Sequence, residues 1–128
     1  MTRARDRGQS TVELALALPV IVVLLLLMVQ VALAVRDHLL LVHAAREAVR
    51  SAAVATIAER GSAARRGATT AGPLDPDRLQ VSEEVLPGGD RVRVRVEYLS
   101  RSDLPVVGLL LPDLRMTADA TMRLEADR

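Results

Sequence analysis

Two residues five apart carry the clearest chemistry in this chain. Gly8 has no Cβ, so its backbone can be approached closely, as a protease requires. Glu13 is a lone carboxylate at the edge of an apolar run, and residues 14–35 that follow hold no charge and one strongly polar side chain, Gln30. A charge in a membrane is costly: insertion scales give about 2.5–3.5 kcal/mol for Asp, Lys or Arg at the centre of a span and less near its ends. A cation beside Glu13 relieves that cost. Cleavage after Gly8 would create one, the new α-amino group of Gln9, on the same or a neighbouring subunit. A plainer role is compatible with this. Glu13 also fits as a first-turn acid favoured by the helix dipole, with Ser10 or Thr11 as N-cap.

Other candidate chemistry is sparse. His38 and His43 are five apart, which puts them on different faces of a helix, whereas helical zinc sites use His at i and i+4. The chain has no cysteine, which excludes disulfides and thiolate metal sites. There is no Ser/His/Asp grouping, no metal set and no phosphate loop, so the expectation is a non-enzymatic protein with no cofactor, no metal and no small-molecule substrate. A formal net charge of +1 gives no electrostatic case for nucleic acid.

The element that must position Gly8 and Glu13 is the apolar run itself. Residues 14–35 number 22, and a bilayer core needs about 20 apolar residues at about 1.5 Å each. The run is long enough to span. Pro19 lies inside it and leaves the carbonyl of Ala15 without its usual donor, which favours a kink. Gln30, near the far end, fits the membrane interface. Ahead of the run, Arg3, Arg5 and Arg7 outweigh Asp6 and favour a cytoplasmic N-terminus. Arg36, Arg46 and Arg50 follow within 20 residues of the span, so the count is tied. The N-terminal three lie closer to the membrane edge.

The stretch RGQSTVELALALPV, residues 7–20, resembles the start of TadE-like proteins, pseudopilins of the tight-adherence (Flp, type IVc) pilus system. The resemblance implies that Gly8 is the glycine after which a prepilin peptidase cuts. It implies that Glu13 is the pilin-type glutamate used in processing or assembly, and Pro19 matches the proline early in the apolar run. Major Flp pilins usually carry Glu-Tyr here; Glu13-Leu14 favours a minor pseudopilin. Two other readings stay open. One is a secretory signal peptide ending at Ala32-Leu33-Ala34, although its apolar region would normally be only about 7–15 residues long. The other is a signal-anchored extracytoplasmic binding module outside any pilus.

Beyond the span, residues 36–59 lack Gly and Pro and are rich in helix formers. Val42, Ala45, Val49, Ala52, Ala53 and Ile57 form an apolar stripe at helical spacing. Gly61 is expected to close the helix. Residues 61–77 read as a flexible linker. Residues 79–86 and 91–99 read as a hairpin turned at Pro87-Gly88-Gly89-Asp90. In the second strand Val92, Val94, Val96 and Tyr98 alternate with Arg91, Arg93, Arg95 and Glu97; Leu79, Val81 and Val85 make a weaker face on the first. The arginine row is expected on the solvent or partner side. Residues 104–114 are apolar but too short to span. Residues 115–125 alternate again, with Met116, Ala118, Ala120, Met122 and Leu124 on one face.

The expected fold is therefore α+β and pilin-like: a long N-terminal helix with a small antiparallel sheet of about three strands. The divisions are a basic cytoplasmic leader (1–8), the long helix (9–60, span 14–35), the linker (61–77) and a small extracytoplasmic β region (78–128). The resemblance implies a single-pass inner-membrane protein, N-terminus in and C-terminus out. Its implied partners are other pilins or pseudopilins, the pilus assembly platform and the prepilin peptidase.

Overall fold

The computed structural model describes residues 3–100 and 113–125, with side chains from Ser10 onward. Helix α1 (Arg3–Val54) runs 52 residues, about 78 Å at 1.5 Å per residue. Helix α2 (Arg60–Thr70) folds back on it. A single 3₁₀ turn (Pro76–Arg78) then leads into strand β1 (Leu79–Val85), followed by β2 (Arg91–Ser100) and β3 (Leu114–Arg123). The three strands form one antiparallel sheet in the order β1-β2-β3. The α+β arrangement read from the sequence is the one found. The apolar segment expected at 104–114 falls outside the described residues up to 112.

The core lies between the last third of α1 and the inner face of the sheet. Leu41, Ala44, Ala45, Ala48, Val49, Ala52 and Ala53 meet Val92, Val94, Val96, Tyr98, Met116 and Ala118. Leu41, Val92, Val94 and Val96 are the largest side chains fully removed from solvent. With one aromatic ring in the chain, the core relies on many small contacts. Alanines on α1 let its backbone lie close to the valine ladder of β2, which recovers dispersion contacts that rings would otherwise supply. Two contacts tie the sheet to α1, one near each end, and a third closes the sheet itself between the end of β3 and the start of β2. Ser100 Oγ donates to Asp37 Oδ2 at 2.7 Å. At the other end Glu125 N donates to Ala53 O at 3.3 Å, and Leu124 N donates to Asp90 O at 2.8 Å.

The hairpin turns where its composition indicated. Leu86 N bonds Arg91 O at 2.9 Å and Gly89 N bonds Leu86 O at 3.0 Å. Gly88 and Gly89 adopt φ of 108° and 72°, in the left-handed region where a Cβ is costly.

Several expectations need correction. The long helix does not reach residue 60; α1 stops at Val54, and Gly61 lies inside α2 rather than ending a helix. Residues 61–77 are not a flexible linker throughout, because 61–70 are helical. Ile57 does not join the buried stripe; it is 76% exposed in the turn between the helices. Val85 and Met122 are on the expected face, but at the end of the sheet, and are exposed. Ser10 and Thr11 do not cap the helix, because α1 begins at Arg3.

Helix α2 forms for a tertiary reason. Its propensity is poor, with two glycines and two terminal threonines. Its buried residues, Ala63, Ala64, Gly67 and Ala68, are all small and share one face. That face lies against α1 so closely that a Cβ at Gly67 would sit 2.6 Å from Ser51 Oγ and 2.7 Å from the Glu47 carbonyl oxygen. Thr69 and Thr70 bond back onto the preceding turn, Thr70 Oγ1 donating to Arg66 O at 2.8 Å.

Candidate functional site

Gly8 and Gln9 both fall within α1, so the bond between them lies in helical backbone. Glu13 follows just over one turn later on the same helix and is exposed. Pro19 also lies inside α1, and the helix continues through it. One helix therefore brings Gly8, Glu13 and Pro19 into a fixed axial relation, with Glu13 about 7.5 Å along the axis from Gly8.

From Glu13 onward α1 is a bare apolar rod. The side chains from Val12 to Val35 are almost all exposed, Val12 at 59% and Leu33 at 41%, and only Leu26, Gln30 and Ala34 are half-buried. A single helix in water gains nothing from displaying so many Leu and Val side chains. The described segment Ser10–Val54 contains a window long and apolar enough to cross a membrane, and none of that window is buried by the rest of the chain. The run of 22 residues at 14–35 measures about 33 Å, against a hydrocarbon core of about 30 Å.

The transition out of the apolar run is abrupt. Arg36 follows Val35, and its guanidinium lies 3.7 Å from Asp37 Oδ1. Asp37 in turn accepts the hydroxyl of Ser100. The folded layer thus begins within two residues of the end of the apolar run. His38 and His43 are both exposed on α1. The outer face of the sheet carries Arg91, Arg93, Arg95 and Glu97, with Arg91 and Arg95 exposed and Arg93 half-buried. Glu97 pairs loosely with Arg115 at 4.0 Å. The depressions on this face are shallow and open, as around Ser82, Glu84, Arg93 and Arg95.

One local feature was missed by sequence reasoning. The segment Thr56-Ile57-Ala58-Glu59 has the Thr-x-x-Glu spacing that marks helix starts. In the structure Glu59 N bonds Thr56 O at 3.0 Å and Ser62 Oγ bonds Glu59 O at 2.8 Å, so the chain turns and restarts as α2. The spacing is nevertheless three residues out of register with the helix: Glu59 is itself the N-cap residue of α2 and makes no side-chain cap bond, so it gives no signal for where α2 starts.

Fold and site together define a class: a small α+β layer built on the outer third of one long helix, the remainder of which is a candidate membrane anchor. Within that class, residues 8–50 match the family model of TadE-like proteins. The match begins at Gly8, covers the whole apolar run and ends inside the part of α1 that carries the core. The N-terminal third of the chain is thus similar to TadE-like proteins, and the same stretch holds the candidate membrane helix. No curated protein and no solved structure matches the chain.

Proposed function

We propose that this protein is a minor pseudopilin, a non-enzymatic structural component of a Tad/Flp-type pilus or a related secretion machine. It stands in the inner membrane as a single pass, N-terminus in and C-terminus out, and is processed after Gly8 by a prepilin peptidase. The observation that carries the reading is the closeness of two boundaries on one helix. The family match starts at Gly8, the exposed apolar rod starts just past Glu13, and both lie on one unbroken helix.

The geometry supports a physical account of processing. A protease needs extended backbone, so the first turns of α1 must unwind before the bond after Gly8 is cut. Glycine within a helix is less stable than alanine by about 1 kcal/mol, which makes this the cheapest place in the first turns to open. Once cut, the Gln9 ammonium lies one helical turn from Glu13 of its own chain, or within reach of Glu13 on a neighbour. The product places a positive charge at a helix N-terminus, where the dipole opposes it, so a carboxylate partner is favoured. The role in assembly belongs to this charge pairing and to the packing of the long helix against other pilins.

The test is the N-terminus of the protein taken from its native membrane, read by mass spectrometry. A start at Gln9 supports processing. A start at Val35 means a secreted protein and overturns the reading. An intact Met1 or Thr2 removes the processing step and leaves a signal-anchored module. Pilus assembly by a Glu13→Ala variant at the wild-type level would remove the role given to Glu13.

A further inference from the structure

Outside the apolar run, the exposed large apolar side chains among the described residues gather at the two ends of the folded layer. Val54, Ile57, Val85 and Met122 are at the top, and Leu39, Leu99 and Leu114 are at the foot. The foot is the end tied to α1 by the bond from Ser100 to Asp37. Ser100 is paired with Leu114, and Leu99 with Arg115. Two exposed cations stand at the same end, Arg36 and Arg115, loosely held by Asp37 at 3.7 Å and Glu97 at 4.0 Å. An exposed leucine taken singly means little. These three share one end of the layer, and that end adjoins the candidate anchor.

The height of the foot above the bilayer follows from α1. When residues 14–35 fill the hydrocarbon core, Val35 marks its outer edge. Asp37 lies about 3 Å further along the axis and Leu39 about 6 Å. Ser100 and its partner Leu114 are level with Asp37, and Leu99 is one strand residue higher, at about 6 Å. The head-group layer adds about 5–8 Å to each side of the core. All three leucines therefore fall within it. Leu39 is about 200° around α1 from the sheet-facing Asp37, so apolar side chains reach this layer on both sides of the rod.

The chain between β2 and β3 points the same way. Ser100 and Leu114 are partners, so a loop of about two to five residues would close the hairpin. Residues 101–113 are used instead, and 104–112 carry no charge and six large aliphatic side chains. Above the foot, the outer face of the sheet presents Arg91, Arg95 and Glu97, which offer such a segment no apolar partner. Below the foot, lipid begins within about 3 Å. We infer that the foot of the folded layer is a second lipid contact. Leu39, Leu99 and Leu114 sit in the head-group layer of the membrane that holds α1, and the connection from β2 to β3 starts and ends there. The inference rests on the anchor in the proposed function and not on processing at Gly8 or on pilus assembly. Arg36 and Arg115 suit this layer, with their stems along acyl chains and their guanidinium groups at lipid phosphates. The contact also sets the depth of α1, because a sheet with open edges carries unpaired backbone groups that hydrocarbon cannot satisfy.

The full-length chain in phosphatidylcholine nanodiscs tests this, and its lack of cysteine allows one label per variant. An environment-sensitive dye is attached at Leu114→Cys at the foot, at Val85→Cys at the top, or at Leu24→Cys inside the run; all three positions are exposed. Two quenchers are compared: aqueous iodide, and a lipid carrying a spin label near the head of its acyl chain. At Leu114 the lipid should quench the dye, and iodide quenching should fall several-fold below its value at Val85. At Val85 iodide should quench and the lipid should not. Leu99→Cys, on the other face of the sheet, should behave as Leu114→Cys does. Iodide reaching Leu114 as readily as Val85 overturns the inference, because the foot then stands in water. Protection of Leu114 from both quenchers also overturns it, because protein then covers the foot. Either result with Leu24 shielded from iodide leaves the anchor intact. Iodide reaching Leu24 overturns anchor and inference together.

Discussion

Gly67→Ala isolates the close approach of the two helices. The added Cβ would meet Ser51 Oγ at 2.6 Å, Glu47 O at 2.7 Å and Glu47 C at 3.0 Å. Two of those atoms belong to the α1 backbone, which is held by its own helix and cannot yield alone. Overpacking of this kind costs about 1–3 kcal/mol. Alanine for glycine returns about 1 kcal/mol of helix propensity. The net expectation is a loss of about 1 kcal/mol, which would raise local opening of α2 about fivefold. Hydrogen exchange of residues 60–70 in the full-length protein, in detergent micelles, reads that opening directly. Gly61→Ala is the control. Its Cβ would also meet an atom at 2.6 Å, but that atom is Glu83 Oε1 at the end of an exposed, flexible side chain. It should leave exchange unchanged or slow it. Ser51→Ala should not rescue Gly67→Ala, because the carbonyl contact remains. Slower exchange of α2 in Gly67→Ala, or faster exchange in Gly61→Ala, would refute the reasoning that backbone contact sets the spacing of the helices.

Further outcomes follow from the same layers. Leu41→Ala, at a site with no solvent exposure, should cost about 2–5 kcal/mol, seen as protease sensitivity of the sheet with the membrane anchor retained. Ser100→Ala removes the 2.7 Å bond to Asp37 and should cost about 1–2 kcal/mol, with faster exchange confined to the end of β2; Ser100→Thr should largely keep the bond. Gly88→Ala forces a Cβ into a residue at φ 108° and should cost about 1–2 kcal/mol, whereas Gly89→Asn, at φ 72°, should be nearly neutral, both measured by thermal unfolding of the full-length chain.

Much of this fold is legible from period alone. The alternation of Val92, Val94, Val96 and Tyr98 with arginines admits one inward face, and that face is the buried one. The two glycines between β1 and β2 locate the turn, because only glycine takes both positive φ values without strain. The charge-free run at 14–35 reads as an anchor from its length. What composition could not show was α2. Glycine and alanine in series look like a linker when read locally, and become a helix only because α1 offers a surface narrow enough to receive them. The stripe was placed on the right side of α1, yet Leu41, Ala44 and Ala48 were not in it and Ile57 was. The helix ends at Val54, about one and a half turns earlier than propensity indicates, and its last turn is met by the Glu125 amide from the far end of the sequence. Contacts between residues 53 and 125 leave no trace in a local window. The chemistry at Gly8 and Glu13 was legible as residue types; their placement on continuous helix emerged only with the backbone.

The unbroken passage of α1 from the apolar run into the core has a mechanical consequence. No swivel separates anchor from sheet: Val35, Arg36, Asp37 and Leu41 are successive parts of one rod, and the sheet is clamped to it at Asp37 and at Ala53. Thrust applied to the buried end travels undiminished to the outer layer, and a twist of the anchor turns the whole sheet through the same angle. Pro19 removes one backbone bond from the rod, so it is the point at which α1 is expected to yield first. On the proposed reading, an assembly that lifted or rotated the chain by an embedded end would move the sheet as a lever arm, with the fulcrum near Pro19.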